Sequence, residues 1–174
     1  WSNNLRTRLN ISYELSKRST LAVSEYIGNI DVKNKQRSVI LGDVGAEAGE
    51  IYLHGPESTF AQQTVAKYVL TTDDRGSNLD VTADYLLQNH HKKQTEETNG
   101  VSTFEDKTRE KTQLWHFTPK YTLCFANGNK LETGVSYQYI HYNDLPGDVG
   151  NKVDIHIPSA YANFSGRHKM VMYS

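Results

Sequence analysis

The sequence is short of the features that would commit it to most familiar chemistries. It has one cysteine, Cys124, in 174 residues, so no intramolecular disulfide forms and no second thiol completes a metal site. Neither sign of charge dominates: 19 Lys and Arg stand against 20 Asp and Glu, which leaves no global field to draw in nucleic acid. No run of 18 apolar residues occurs, which excludes a helical membrane span and leaves β-barrels untouched, since their strands alternate. A charged and then apolar leader is missing before Trp1, and the chain stops at Met172-Tyr173-Ser174 with no polar tail. The expectation is a piece of something longer.

Catalytic signatures are missing too. There is no GxSxG around any serine, and the glycines from Gly42 to Gly49 are followed by no Lys-Ser/Thr, so that stretch is not a phosphate loop and reads as a flexible connection. His90-His91 precede Glu96, Glu97, Glu105 and Asp106. Adjacent histidines on extended chain point apart, however, and no HxH spacing completes a ligand set. Asp73-Asp74 and the pair Asp144 and Asp148 lack a calcium-loop pattern and suit turns. The mixed run Lys92-Lys93 to Glu96-Glu97 reads as a solvated face. The expectation is a chain with no catalytic residues, no cofactor and no metal.

What is present has a period of two. Hydrophobic residues make up 37% of the chain, with 11 Tyr, and mean hydropathy is −0.65, a composition suited to strands in one domain rather than to disorder. Leu5, Thr7, Leu9, Ile11 and Tyr13 share one face of an extended segment, opposite Arg6, Arg8, Asn10, Ser12 and Glu14. After Ser16-Lys17-Arg18-Ser19 the pattern restarts with Leu21, Val23 and Ile27. It returns in Val65 to Leu70, the turn Asp73-Asp74-Arg75-Gly76, and Leu79, Val81, Ala83, Tyr85 and Leu87. A third hairpin joins Trp115, Phe117, Tyr121, Leu123 and Phe125 to Leu131, Thr133, Val135, Tyr137 and Tyr139 through Asn127-Gly128-Asn129. Ile155 to Phe164 forms a last strand, with Ser165 to His168 as its turn and Met170 to Tyr173 beginning another.

Turns near 17, 75, 128 and 167 are tight, whereas the connections 29 to 62, 89 to 110 and 143 to 153 read as long polar loops. Short links at one end and long links at the other are the habit of an outer-membrane barrel, as are strands of about 10 residues. Tyr13, Tyr26, Tyr85, Phe125, Tyr139 and Tyr142 fall at strand ends, where interfacial aromatic girdles lie. Tyr52, His54, Phe60, His90, His91 and Phe104 fall in the long connections and are the candidate ligand-contacting residues.

Four segments carry a resemblance. Asn10 to Leu21, Asp80 to Tyr85, Gly128 to Tyr137 and Ser159 to Ser165 resemble, in order and at fitting spacing, the barrel region of Bacteroidetes TonB-dependent outer-membrane receptors. The resemblance implies an all-β, antiparallel up-and-down meander of about seven or eight strands, residues 1–174 forming one segment of a larger barrel whose plug is absent here. It implies a transport role for the parent, with the long loops outside the cell contributing to ligand capture. Its partners would be outer-membrane lipid, the rest of the barrel with its plug, and a small ligand. The alternative is a soluble cell-surface β-sheet module binding glycan or protein, motivated by the low hydropathy and the aromatic connections.

Overall fold

The computed structural model describes residues 2–41, 47–144, 151–168 and 171–173. Eight strands follow one another: β1 (Ser2–Ser16), β2 (Ser19–Leu41), β3 (Glu47–Thr71), β4 (Asn78–Thr98), β5 (Val101–Cys124), β6 (Lys130–Asp144), β7 (Asn151–His168) and the short β8 (Val171–Tyr173). Each pairs antiparallel with the next in the order β1-β2-β3-β4-β5-β6-β7-β8. This is the expected meander.

The turns have the chemistry their sequences carry. Lys17-Arg18 reverse the chain between β1 and β2, where the Ser16 and Ser19 hydroxyls lie 2.7 Å apart. Between β3 and β4, the Asp73 carboxylate accepts from the Arg75 and Ser77 amides and the Ser77 hydroxyl. Those bonds hold its pKa below the ordinary carboxylate range. Ser77 is fully buried, and its Oγ accepts the Cys124 amide at 2.9 Å, which fastens this turn to β5. Between β5 and β6, the Phe125 amide donates to the Asn129 carbonyl and the Asn129 amide to the Asn127 side chain.

The opposite end departs from expectation. The segments 29 to 62 and 89 to 110 are almost wholly strand: β2 continues to Leu41, β3 begins at Glu47, and β4 and β5 meet across Asn99-Gly100. Both turn residues have positive φ, 52° and 78°, the pair that a two-residue type I′ hairpin requires. Asn99 is also bound across to β3, its amide donating to the Glu50 carbonyl and its Oδ1 accepting the Glu50 amide, each at 3.0 Å. Strands of 21 to 25 residues result for β2 to β5, roughly 70 to 80 Å at about 3.3 Å per residue. A polar segment stays extended here because each strand is hydrogen-bonded on both sides, whatever its side chains face. Of the third connection, Asn143, Asp144 and 151–153 are strand and 145–150 lie outside the described residues, as does most of Gly42 to Gly49. Ser165 to His168, expected as a turn, are the end of β7, with Gly166 to His168 paired to β8.

The register is staggered in one direction. One row runs Ser16, Ser19, Leu70, Leu79, Tyr121, Thr133, Ala162 across seven strands. Relative to that row the tight-turn ends fall at Ser16, at Thr71 (one residue beyond Leu70), at Cys124 (three beyond Tyr121) and at His168 (six beyond Ala162). Such progressive slip is the shear that tilted strands need to close a barrel.

Candidate membrane face and its polar rims

Paired residues share a face, so the register sorts every side chain. The face that begins with Leu5, Leu9, Ile11 and Tyr13 continues through Leu21, Val23 and Ile27, Tyr68 and Ala66, Leu79, Val81, Ala83, Tyr85 and Leu87, Tyr121, Phe117 and Trp115, Leu131, Val135, Tyr137 and Tyr139, and Phe164, Ala162 and Ala160. These residues occupy the first nine or so positions from each tight turn. A stretch of about nine residues tilted near 40° rises roughly 23 Å, close to the ~25 Å apolar band of an outer-membrane barrel.

No protein covers this band. Among the described residues no hydrophobic side chain is buried, and Leu5 (67%), Trp115 (54%) and Phe117 (48%) stand open. So much contiguous apolar surface marks contact with a non-aqueous medium or a partner. Aromatics edge it on both sides: Tyr13, Tyr121, Phe125 and Phe164 towards the tight turns, Tyr85, Trp115, Tyr137 and Tyr139 away from them. Tyr85 packs on Trp115 with ring centroids 4.3 Å apart, and Phe125 meets Phe164 edge-on at 6.2 Å. Of the six expected girdle residues, Tyr13, Tyr85, Phe125 and Tyr139 lie on this face, while the register places Tyr26 and Tyr142 on the other. Within the band, one carboxylate among the described residues faces outward: Glu25, which accepts from the Thr64 hydroxyl and from Gln62 Nε2.

The reverse face of the same stretch is polar and internally paired. Lys67 Nζ lies 2.9 Å from Asp80; Gln63 donates to both Asp84 oxygens at 3.1 and 3.0 Å. Lys120 reaches Glu132 at 3.7 Å, and the Tyr161 hydroxyl donates to the same carboxylate at 3.1 Å. His116 Nε2 lies between the Ser136 and Thr118 hydroxyls. One wet and one apolar face on a single-layer sheet is the arrangement of a barrel wall with its lumen behind it.

Beyond the band the outward face turns ionic within two or three positions. On β5, Trp115 gives way to Gln113, Lys111, Arg109, Lys107 and Glu105; on β4, Leu87 gives way to Asn89, His91, Lys93, Thr95 and Glu97. Lys107 and Lys93 lie 2.7 and 3.3 Å from Glu105 and together hold its pKa below the ordinary carboxylate range. The expected ligand-contacting residues all sit in this upper region, on strands rather than loops. They do not converge. Tyr52, His54, Phe60 and His91 are on the outward face, with the Arg37 guanidinium 5.9 Å above the Tyr52 ring and His54 3.8 Å from Glu97. His90 and Phe104 are on the inner face, where His90 Nδ1 lies 3.0 Å from the Thr59 hydroxyl. Missed from the sequence was the cationic run Lys107, Arg109, Lys111 at a spacing of two; read as strand, that spacing already places all three on one face.

Comparison with solved structures decides the architecture. Twenty-one chains match; one is the ferric citrate transporter FecA in its unliganded form, with a TM-score of 0.70 over 98% of this chain at 12% identity. The fold is that of a barrel-wall segment, all-β with its strands in one antiparallel meander. The chain spans 26% of the length of the transporter it matches. No family model and no curated protein matches the sequence.

Proposed function

We propose that the chain is a wall segment of a TonB-dependent outer-membrane receptor, of the Bacteroidetes kind that its four motifs resemble. Its strand extensions project beyond the membrane on the side opposite the tight turns. The observation that carries this reading is the outward band: apolar, uncovered, about nine residues deep, edged by aromatics and backed by a paired polar face. Tight turns then face the periplasm and the Asn99-Gly100 hairpin faces outside the cell. The likeness to FecA supports transport by the parent. Ligand capture falls to the inner face of the upper strands, and His90 and Phe104 are the two expected residues on it.

Trp115 supplies the test. In a Trp1→Phe background it is the sole tryptophan, and its fluorescence in vesicles is expected to be quenched by lipids brominated on the acyl chain and little by iodide in water. Efficient quenching by iodide, with none by bromolipid, would overturn the membrane wall in favour of the soluble surface module.

A further inference from the structure

The inner face changes character where the outward band ends. Leu86, Leu114, Ile140 and Ile155 pair directly with one another across β4 to β7 and form an aliphatic row on that face. Val153 and Ile157 extend the row along β7, where all three residues are 42 to 45% exposed. Below the row the inward carboxylates are matched: Asp80 by Lys67, Asp84 by Gln63, Glu132 by Lys120 and Tyr161. Above it they outnumber their partners. On β3 to β6 five carboxylates among the described residues, Glu57, Glu96, Asp106, Glu110 and Asp144, face inward with one lysine, Lys92, which leaves four negative charges with His90 neutral.

Two of these carboxylates stand side by side. Glu110 and Asp144 are direct partners across β5 and β6, in the row that also holds Thr59 and His90. Like charges directly opposite one another destabilise a sheet. Glu57 accepts from Asn34 Nδ2 at 3.0 Å, whereas neither Glu110 nor Asp144 has a side-chain hydrogen bond or ion pair among the described residues, and Asp144 Oδ1 is closed off from solvent while accepting nothing. A cation between them would relieve a repulsion that no described side chain relieves. Tyr142 lies on the same face, two positions below Asp144 and two above Ile140, so its ring spans the roughly 13 Å along the strand from the carboxylate pair to the aliphatic row. Burial, and then the charges of Glu110 and Asp144, raise the pKa of its hydroxyl. The ring therefore stays neutral, and its face is open to a cation.

We propose that this inner face captures an organic cation, an ammonium or guanidinium group on an apolar body, with the charge between Glu110 and Asp144 against the Tyr142 ring and the body along Leu114, Ile140 and Ile155. The inference rests on the receptor reading, which gives ligand capture to the inner face of the upper strands, and adds the chemistry of what is captured. Charge complementarity sets the sign, since an acidic face attracts cations and repels anions. The aliphatic row selects an organic cation over an inorganic one, which gains nothing from apolar surface and seeks oxygen ligands alone.

The test uses the full parent protein in a nonionic detergent, titrated calorimetrically with 4-phenylbutylamine. The expected result is saturable binding that Glu110→Gln with Asp144→Asn, which keeps the shape of both side chains, weakens at least tenfold, since a hydrogen bond to a charged group is worth about tenfold in affinity. Tyr142→Leu, which keeps both charges, should weaken it several-fold. Glu105→Gln removes a carboxylate from the outward face of the same strand and should leave the affinity unchanged. The matched anion, 4-phenylbutyrate, should not bind, and methylammonium, a cation without the apolar body, should bind at least tenfold more weakly. Binding unaffected by the double substitution, an equal loss with Glu105→Gln, or methylammonium as tight as 4-phenylbutylamine would overturn the proposal, the last pointing to a bare-cation site. Bromolipid quenching of Trp115 in vesicles separates the two levels: quenching without amine binding overturns this inference alone, whereas loss of quenching removes the receptor reading beneath it.

Discussion

On β4, Leu79 to Leu87 alternate between an apolar outer face and an inner face carrying Asp80, Thr82 and Asp84, whereas from Asn89 to Glu97 every outward residue is polar. β5 changes at the matching level, below Gln113. The two halves of one strand share the same backbone hydrogen bonding and differ in what surrounds them. On the membrane-wall reading proposed above, lipid on one side and water on the other force a period of two in the half nearer the tight turns, and water on both sides removes that constraint in the far half. Extended structure does not depend on alternation, only on a neighbour for each edge.

The sharpest way to break this comparison is to put one charge at each level. Val81→Arg, outward in the apolar band, is expected to destabilise the protein in bilayers by about 2 to 4 kcal/mol, and Thr95→Arg, outward above it, by no more than a few tenths. Equal effects in urea titrations from lipid vesicles would show that the two halves meet the same medium.

The same difference sets what can be read without coordinates. The β1–β2, β3–β4 and β5–β6 hairpins are visible in the sequence, because Leu5 to Tyr13, Leu79 to Leu87 and Leu131 to Tyr139 alternate and their turns are short polar runs, Ser16 to Ser19, Asp73 to Gly76 and Asn127 to Asn129, whereas the turn placed at Ser165 to His168 is strand. The upper strands are invisible to that test. Thr95-Glu96-Glu97-Thr98 and Val101-Ser102-Thr103-Phe104 have no apolar face, so Asn99-Gly100, a strong hairpin dipeptide, passes for part of a loop. Reading those segments as loops also scattered the candidate site, since faces are defined only once a segment is extended. As strands, Tyr52 and His91 look outward while His90 and Phe104 look inward.

Ser77 tests the tight-turn end. Its hydroxyl donates to Asp73 and accepts from the Cys124 amide while wholly buried, so Ser77→Ala strands that amide and is expected to cost about 1 to 3 kcal/mol. Amide exchange should rise at Asn78 and Cys124 together, because one side chain links the two. A change confined to one of them would show that the turn and β5 are held independently.

Gly100 tests the other end at smaller cost. Its φ of 78° lies where a β-branched residue is strained, and Gly100→Val is expected to destabilise the hairpin by about 1 to 2 kcal/mol. Since the band lies more than ten residues away along β4 and β5, faster exchange should be confined to the residues around 94 to 105. Loss of Trp115 quenching in the same variant would mean that the extensions and the membrane segment fold as one unit.

The smallest expected effect is a response to acid that only the upper half should show. Lys107 and Lys93 lower the pKa of Glu105 in the folded hairpin, with Arg109 and His91 nearby on the same face. A carboxylate so lowered stabilises the folded form above its unfolded pKa, and that contribution disappears as pH falls through the folded value, below the ordinary range near ~4. Protection of the amides flanking Asn99-Gly100 should therefore decline at the acid end of a titration, once exchange is corrected for its own pH dependence. Glu105→Gln should show the weaker protection already at neutral pH and lose the acid step. The Lys67–Asp80 pair, on the polar inner face of the half nearer the tight turns, gives the contrast: if Glu105→Gln also altered protection there, the two halves would share one electrostatic network, and the level at which the outward face turns polar would not be a boundary in stability.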